Sequence, residues 1–167
     1  MLSSFPAGVA PNRRLGRYAA TLSALLGLFA LRVLAQALVA LGYGALLPPW
    51  EEWFSGLVPY PQLLASQTAI VLGYGKVCLD FIRQRGFFVT PRRWLGTLLP
   101  SVGSVYFAVM MIRYAIRMSL YPLERWSGGA IPIMFHWVLA AFILILGAYH
   151  RRSVSVPMRR PIAVRTQ

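Results

Sequence analysis

IPIMFHWVLAAFILILGAY, residues 131–149, is an unbroken apolar run closed by His150, Arg151 and Arg152. It is close to the ~20 residues that a helix needs to cross a bilayer. Its residues do not alternate between apolar and polar, so it reads as a helix and not as a strand of a barrel. Three further runs of this kind lie upstream, at about residues 18–47, 63–82 and 95–121, each bounded by charge, Pro or Gly. Four such runs predict an all-α integral membrane protein, a four-transmembrane-helix bundle over residues 18–150. The first run exceeds the ~20 residues required, which predicts tilt or a start in the interface. It is also longer than the ~7–15 apolar residues of a cleaved secretory signal, so it reads as an uncleaved anchor.

The basic residues set an orientation. Of 17 Lys+Arg, 12 fall in three segments. These are the arm 1–17 (Arg13, Arg14, Arg17), the second loop (Arg83, Arg85, Arg92, Arg93) and the tail 151–167 (Arg151, Arg152, Arg159, Arg160, Arg165). The alternate loops carry only Arg125, together with Glu51, Glu52 and Glu124. Loops rich in Lys and Arg stay in the cytoplasm, so both termini are expected inside. A net charge of +13 raises the question of nucleic acid. The bases flank apolar spans instead of lining a soluble face, however, which points to anionic lipid. Sixteen of the 17 bases are Arg, a bias that suggests a GC-rich bacterial genome and hence an inner membrane.

The connections carry weaker signals. PPWEEWF, residues 48–54, places Pro and acids where a helix starts, with two Trp at headgroup level, so a short interfacial helix is expected in the first outer loop. Pro59 and Pro61 then turn the chain into the second span. In the second loop Phe87 and Phe88 lie among four Arg, a pairing suited to the cytoplasmic interface. The tail, basic and Pro-rich, reads as flexible. Cys78 is the single cysteine, which leaves no internal disulfide and no cysteine metal cluster.

Charges inside the spans are the best pointers to function. Arg32 and Gln36, Lys76 and Asp80, and Arg113 and Arg117 are each four residues apart, so each pair shares a helix face. A charge at bilayer depth costs at least ~2.5–3.5 kcal/mol, which turns such faces toward the bundle, a water cavity or a partner. With ~1.5 Å rise per residue, Arg117 lies ~6 Å and Arg113 ~12 Å below the outer end of the third run. Arg32, Arg113 and Arg117 therefore form an outer-half cluster, for which Glu51 and Glu52 are the candidate partners. If they do not pair, the guanidinium forks suit a phosphate or carboxylate. Lys76 and Asp80 sit lower and are expected to satisfy each other.

His136 and His150 are fourteen positions apart on the fourth run. That is close to four turns of ~3.6 residues, which places both rings on one face ~21 Å apart. The spacing is similar to that of the histidine pairs on the haem-carrying helices of the cytochrome b family. The resemblance covers one helix and two residues, and implies one b-type haem near each membrane face. That family supplies its second axial ligand from another helix, and this chain has 2 His in all, so the implied sites require a dimer. The plainer expectation is that His136 hydrogen-bonds a carbonyl, Glu51 or Glu52, and that His150 joins Arg151 and Arg152 at the interface.

Signatures of catalysis are missing. Four acids are too few and too scattered for a paired-carboxylate site, and no Gly-rich phosphate loop or helical pair of metal-binding histidines occurs. Two Gly-Tyr-Gly triplets, at 42–44 and 73–75, lack the context of an ion-channel filter. The expected function is a small non-catalytic accessory or assembly subunit of a larger membrane complex, contacting other subunits, or a second copy of itself, and anionic lipid. Two alternatives remain: a minimal transporter or lipid- or anion-binding protein using the arginine cluster, and a dimeric haem redox subunit. No resident cofactor or metal is expected outside the last.

Overall fold

The computed structural model describes residues 13–43, 47, 48, 53, 58–122 and 130–154. Among them the chain forms four α-helices: α1 Arg13–Ala40, α2 Tyr60–Ile82, α3 Arg93–Leu120 and α4 Ala130–Val154. Three are long and apolar enough to cross a membrane, namely α1, α3 and the Ile131–Val154 part of α4. α2, with 23 residues, reaches about 35 Å at ~1.5 Å per residue, enough for a ~30 Å hydrocarbon core. What sets it apart is polarity: Gln62, Ser66, Gln67, Thr68, Lys76 and Asp80 all lie on it.

The helix ends depart from the apolar runs, most of all in α1. It starts at Arg13, so Arg13, Arg14 and Arg17 ride on its first turns, and it stops at Ala40 instead of continuing to residue 47. The stop is a backbone event. Gly42 takes φ +84°. Its N–H donates to Val39 O at 3.0 Å, and the Tyr43 N–H donates to Leu38 O at 2.9 Å. This left-handed closure needs a residue without Cβ, and apolarity does not register it. α4 overruns its expected end at 149 and reaches Val154, carrying Arg151 and Arg152 on its last turn, where positive charge complements the helix dipole. The expected interfacial helix and the acids Glu51 and Glu52 lie outside the described residues; of that segment only Pro48 and Trp53 are described.

Packing is uneven. Among the described helices α1 packs against α2 and α4, whereas α3 packs against α4 alone. The α3–α4 seam is a close approach through Gly96 and Gly147, which meet the backbones of Arg151 and Pro100, and through Gly103, which admits the Leu144 and Ile143 side chains. A Cβ on Gly147 would lie 2.6 Å from Pro100 Cδ, and one on Gly96 would lie 3.0 Å from the Arg151 backbone N. Small residues at such seams are how helices gain contact in lipid, where no hydrophobic force separates helix from solvent. Pro100 lies inside α3, a residue that removes one helical hydrogen bond; its ring fills the space above Gly147.

The main core gathers where the helix ends carrying Arg13, Arg83, Arg93 and Arg151 meet, hereafter the basic end. Leu22, Val77, Cys78, Phe81, Phe142, Leu146 and Tyr149 are buried together there. The Tyr74 and Phe142 rings stack at 3.9 Å between centroids. Phe81 and Tyr149 meet edge to face at 4.8 Å, a geometry worth ~0.5–1.5 kcal/mol beyond burial.

Candidate functional site

At the opposite end three helices deliver polar side chains to one small cavity. Arg32 comes from α1, Gln67 from α2 and His136 from α4, and Gln36, one turn from Arg32 on α1, bonds Gln67. Arg32 is 6% exposed, Gln36 0% and Gln67 4%, so three polar groups are withdrawn from the surroundings. The Gln67 Nε2 donates to Gln36 Oε1 at 3.0 Å across the α1–α2 contact. An Arg32 terminal nitrogen donates to the Trp53 carbonyl at 3.4 Å, and its guanidinium carbon lies 5.5 Å from the centre of the Phe135 ring. These are weak holds for a charge. The Arg32 Nε, Gln36 Nε2 and Gln67 Oε1 are buried without a hydrogen-bond partner among the described residues.

The cavity between them measures about 120 Å³ and is lined by Arg32, Trp53, Ser66, Gln67 and His136 over an apolar floor that includes Phe29. One water needs ~10–15 Å³ on the same measure, so several waters or one small anion fit. His136 is held from the other side, its Nδ1 2.5 Å from the Tyr106 hydroxyl of α3. Trp53, expected in a headgroup belt, is instead 7% exposed, and its Nε1 donates to Pro48 O at 2.9 Å. The indole N–H and the Trp53 backbone carbonyl both find partners inside the fold.

Arg32 lines the cavity, while Arg113 and Arg117 are half-buried on the side of α3 that also carries Tyr106 and Tyr114 toward α4. Tyr114 meets Trp137 of α4 edge to face at 5.3 Å, and the Arg117 guanidinium lies 5.5 Å from the Tyr121 ring centre. Whether Glu51 or Glu52 pairs with any of them lies outside the described residues. Lys76 and Asp80 do pair, one turn apart on α2. Asp80 also accepts the Phe88 N–H at 3.4 Å. A Cβ on Gly86, whose φ is +125°, would lie 2.5 Å from the carboxylate. Asp80 therefore anchors the turn after α2.

The two histidines sit at opposite ends of α4, but both are committed to α3. His150 is 0% exposed, and its Nδ1 accepts the Arg92 N–H at 3.3 Å. Among the described residues no three His, Cys, Asp or Glu side chains come together as a metal set. Gln67, Ser66, Trp53 and Tyr106 were not singled out as site residues by sequence. A Gln in an apolar run opposite Gln36 was the one available signal. Trp53 and Tyr106 belong to ordinary aromatic positions. Compared with known protein families, curated proteins and solved structures, the chain matches none.

Proposed function

We propose that this is a four-pass protein of a bacterial inner membrane, with both termini cytoplasmic, acting as a non-catalytic accessory or assembly subunit that docks on another membrane protein and contacts anionic lipid. The observation that carries this reading is the uncovered side of α3. Thr97, Ser101, Ser104, Ala108, Ala115 and Ser119 follow one another every four, three or seven residues and are all exposed. This places a stripe of small side chains on one face of a helix that, among the described helices, packs against α4 alone. Helices associate in lipid through such faces, because small residues let backbones approach. Three of the four hydroxyls are bonded within the helix: Thr97 donates to Arg93 O at 3.2 Å, Ser101 to Thr97 O at 3.0 Å and Ser119 to Ala115 O at 3.0 Å. Met111, 41% exposed, interrupts the stripe between Ala108 and Ala115; the small residues on either side of it suit a partner helix. A photoreactive residue at Ala108 in native membranes is expected to cross-link a second protein chain, whereas one at Leu31, 63% exposed on α1, captures lipid. Lipid adducts alone at both positions would overturn the reading.

A second reading, a small anion-binding or transporting protein, is favoured by the buried Arg32 Nε without a partner. It predicts that a small anion raises the melting temperature of nanodisc-held protein and that Arg32→Gln abolishes the rise. No rise with any of chloride, phosphate or acetate removes it.

A further inference from the structure

We propose that the recess between the first turns of α3 and the last turns of α4 binds a phosphate group. The recess measures about 400 Å³ and is lined by Arg93, Gly96, Thr97, Ser101, His150 and Arg151 among others. That volume falls within the ~300–1,000 Å³ of small-ligand sites. His150 is the informative member. Its Nδ1 accepts the Arg92 N–H at 3.3 Å, so the neutral ring carries its proton on Nε2. That nitrogen is buried and has no hydrogen-bond partner among the described residues. A buried donor asks for an acceptor, and the cavity beside it is the place for one.

The electrostatics select an anion. Arg93 and Arg151 line the same recess from the two helices. The start of a 28-residue helix adds the positive end of its dipole and backbone N–H groups. The described residues contain one carboxylate, Asp80, and it is engaged by Lys76 and by the Phe88 N–H. On the other side of α4, Arg14, Arg17 and Arg152 line a second basic recess. Guanidinium forks and an imidazole N–H match the several oxygens of a phosphate better than a single-point anion. Two sources share this chemistry: the headgroup of an anionic phospholipid and free phosphate. The proposal rests on the reading that the basic end lies at a membrane surface.

The test uses the full chain in nanodiscs and two isosteric variants of one residue. His150→Asn keeps an acceptor where Nδ1 stands and removes the distal N–H; His150→Gln keeps a distal N–H and removes the acceptor. Native mass spectrometry from mixed phosphatidylglycerol and phosphatidylcholine discs is expected to show retained phosphatidylglycerol on the wild type. His150→Asn and Arg93→Gln should each cut that retention about tenfold, the scale of one lost charge-assisted hydrogen bond. His150→Gln should retain lipid at a lowered melting temperature. Pure phosphatidylcholine discs with added inorganic phosphate form the second arm: stabilisation there, lost in His150→Asn, assigns the site to free phosphate. Equal behaviour of wild type, His150→Asn and Arg93→Gln in both arms overturns the site. The membrane reading fails separately, if a cysteine placed at Thr90 is labelled by impermeant reagent from outside intact cells.

Discussion

The Nδ1 of His150, near the end of α4, accepts the backbone N–H of Arg92, the residue that precedes α3, at 3.3 Å. One side chain thereby ties the last turn of one helix to the start of its neighbour, and the adjacent Tyr149 hydroxyl donates to Val89 O in the same loop. Helix starts expose N–H groups that need such acceptors. His150→Phe should therefore cost about 1–2 kcal/mol, the scale of a lost cap or a bared buried donor. His150→Asn should cost less. Thermal melts in one detergent check the order of the two.

The Gln36–Gln67 bond offers a double-mutant cycle. Interhelical hydrogen bonds in membranes average about 0.6 kcal/mol and reach ~1.7, less than burial alone suggests. Gln36→Leu and Gln67→Leu are each expected to destabilise the protein, and the double variant to recover part of the sum. A coupling energy indistinguishable from zero, measured by unfolding in mixed micelles, would show that the pair does not join α1 to α2.

Two glycines should respond in opposite directions. A Cβ on Gly147 meets the Pro100 ring, whereas one on Gly27 meets nothing within 4 Å. Gly147→Ala is expected to open the α3–α4 seam at a cost of about 1–3 kcal/mol, the usual penalty for overpacking. Gly27→Ala should be neutral or stabilising by up to ~1 kcal/mol through helix propensity. Melting temperatures that move together would argue against the seam.

Orientation is open to single-cysteine mapping. The native Cys78 is 4% exposed and is expected to stay unlabelled in the folded protein. Thr90→Cys should then be shielded from impermeant maleimide in intact cells, and Val58→Cys should react. The reverse pattern inverts the topology and removes the basis for cytoplasmic lipid contact.

His136 and His150 are each engaged through Nδ1 within one copy of the chain, by the Tyr106 hydroxyl and by the Arg92 N–H. Protein purified from haem-replete cells is expected to lack a Soret band. A band that disappears in His136→Ala would restore the redox reading.

Sequence alone determined the class of the molecule. Runs of some twenty apolar residues admit helices as the only way to satisfy a backbone in lipid, and the four-residue spacing of Arg32 with Gln36 and of Lys76 with Asp80 decided which groups share a face. Both of these are local properties, legible one helix at a time. Tertiary structure decided what those faces meet. The stop of α1 before Gly42 depends on a single left-handed residue that hydropathy does not weigh. The convergence of Arg32, Gln67 and His136 on one cavity, and the burial of Trp53 beside them, depend on which helices neighbour α1. His150 and His136 share one face of α4 in the sequence, but the close approach of α3 at Gly96, Gly103 and Gly147 gave each ring a different partner. Helical periodicity specifies the angle of a side chain around its own axis; the partner it finds there is set by packing between helices far apart in the chain.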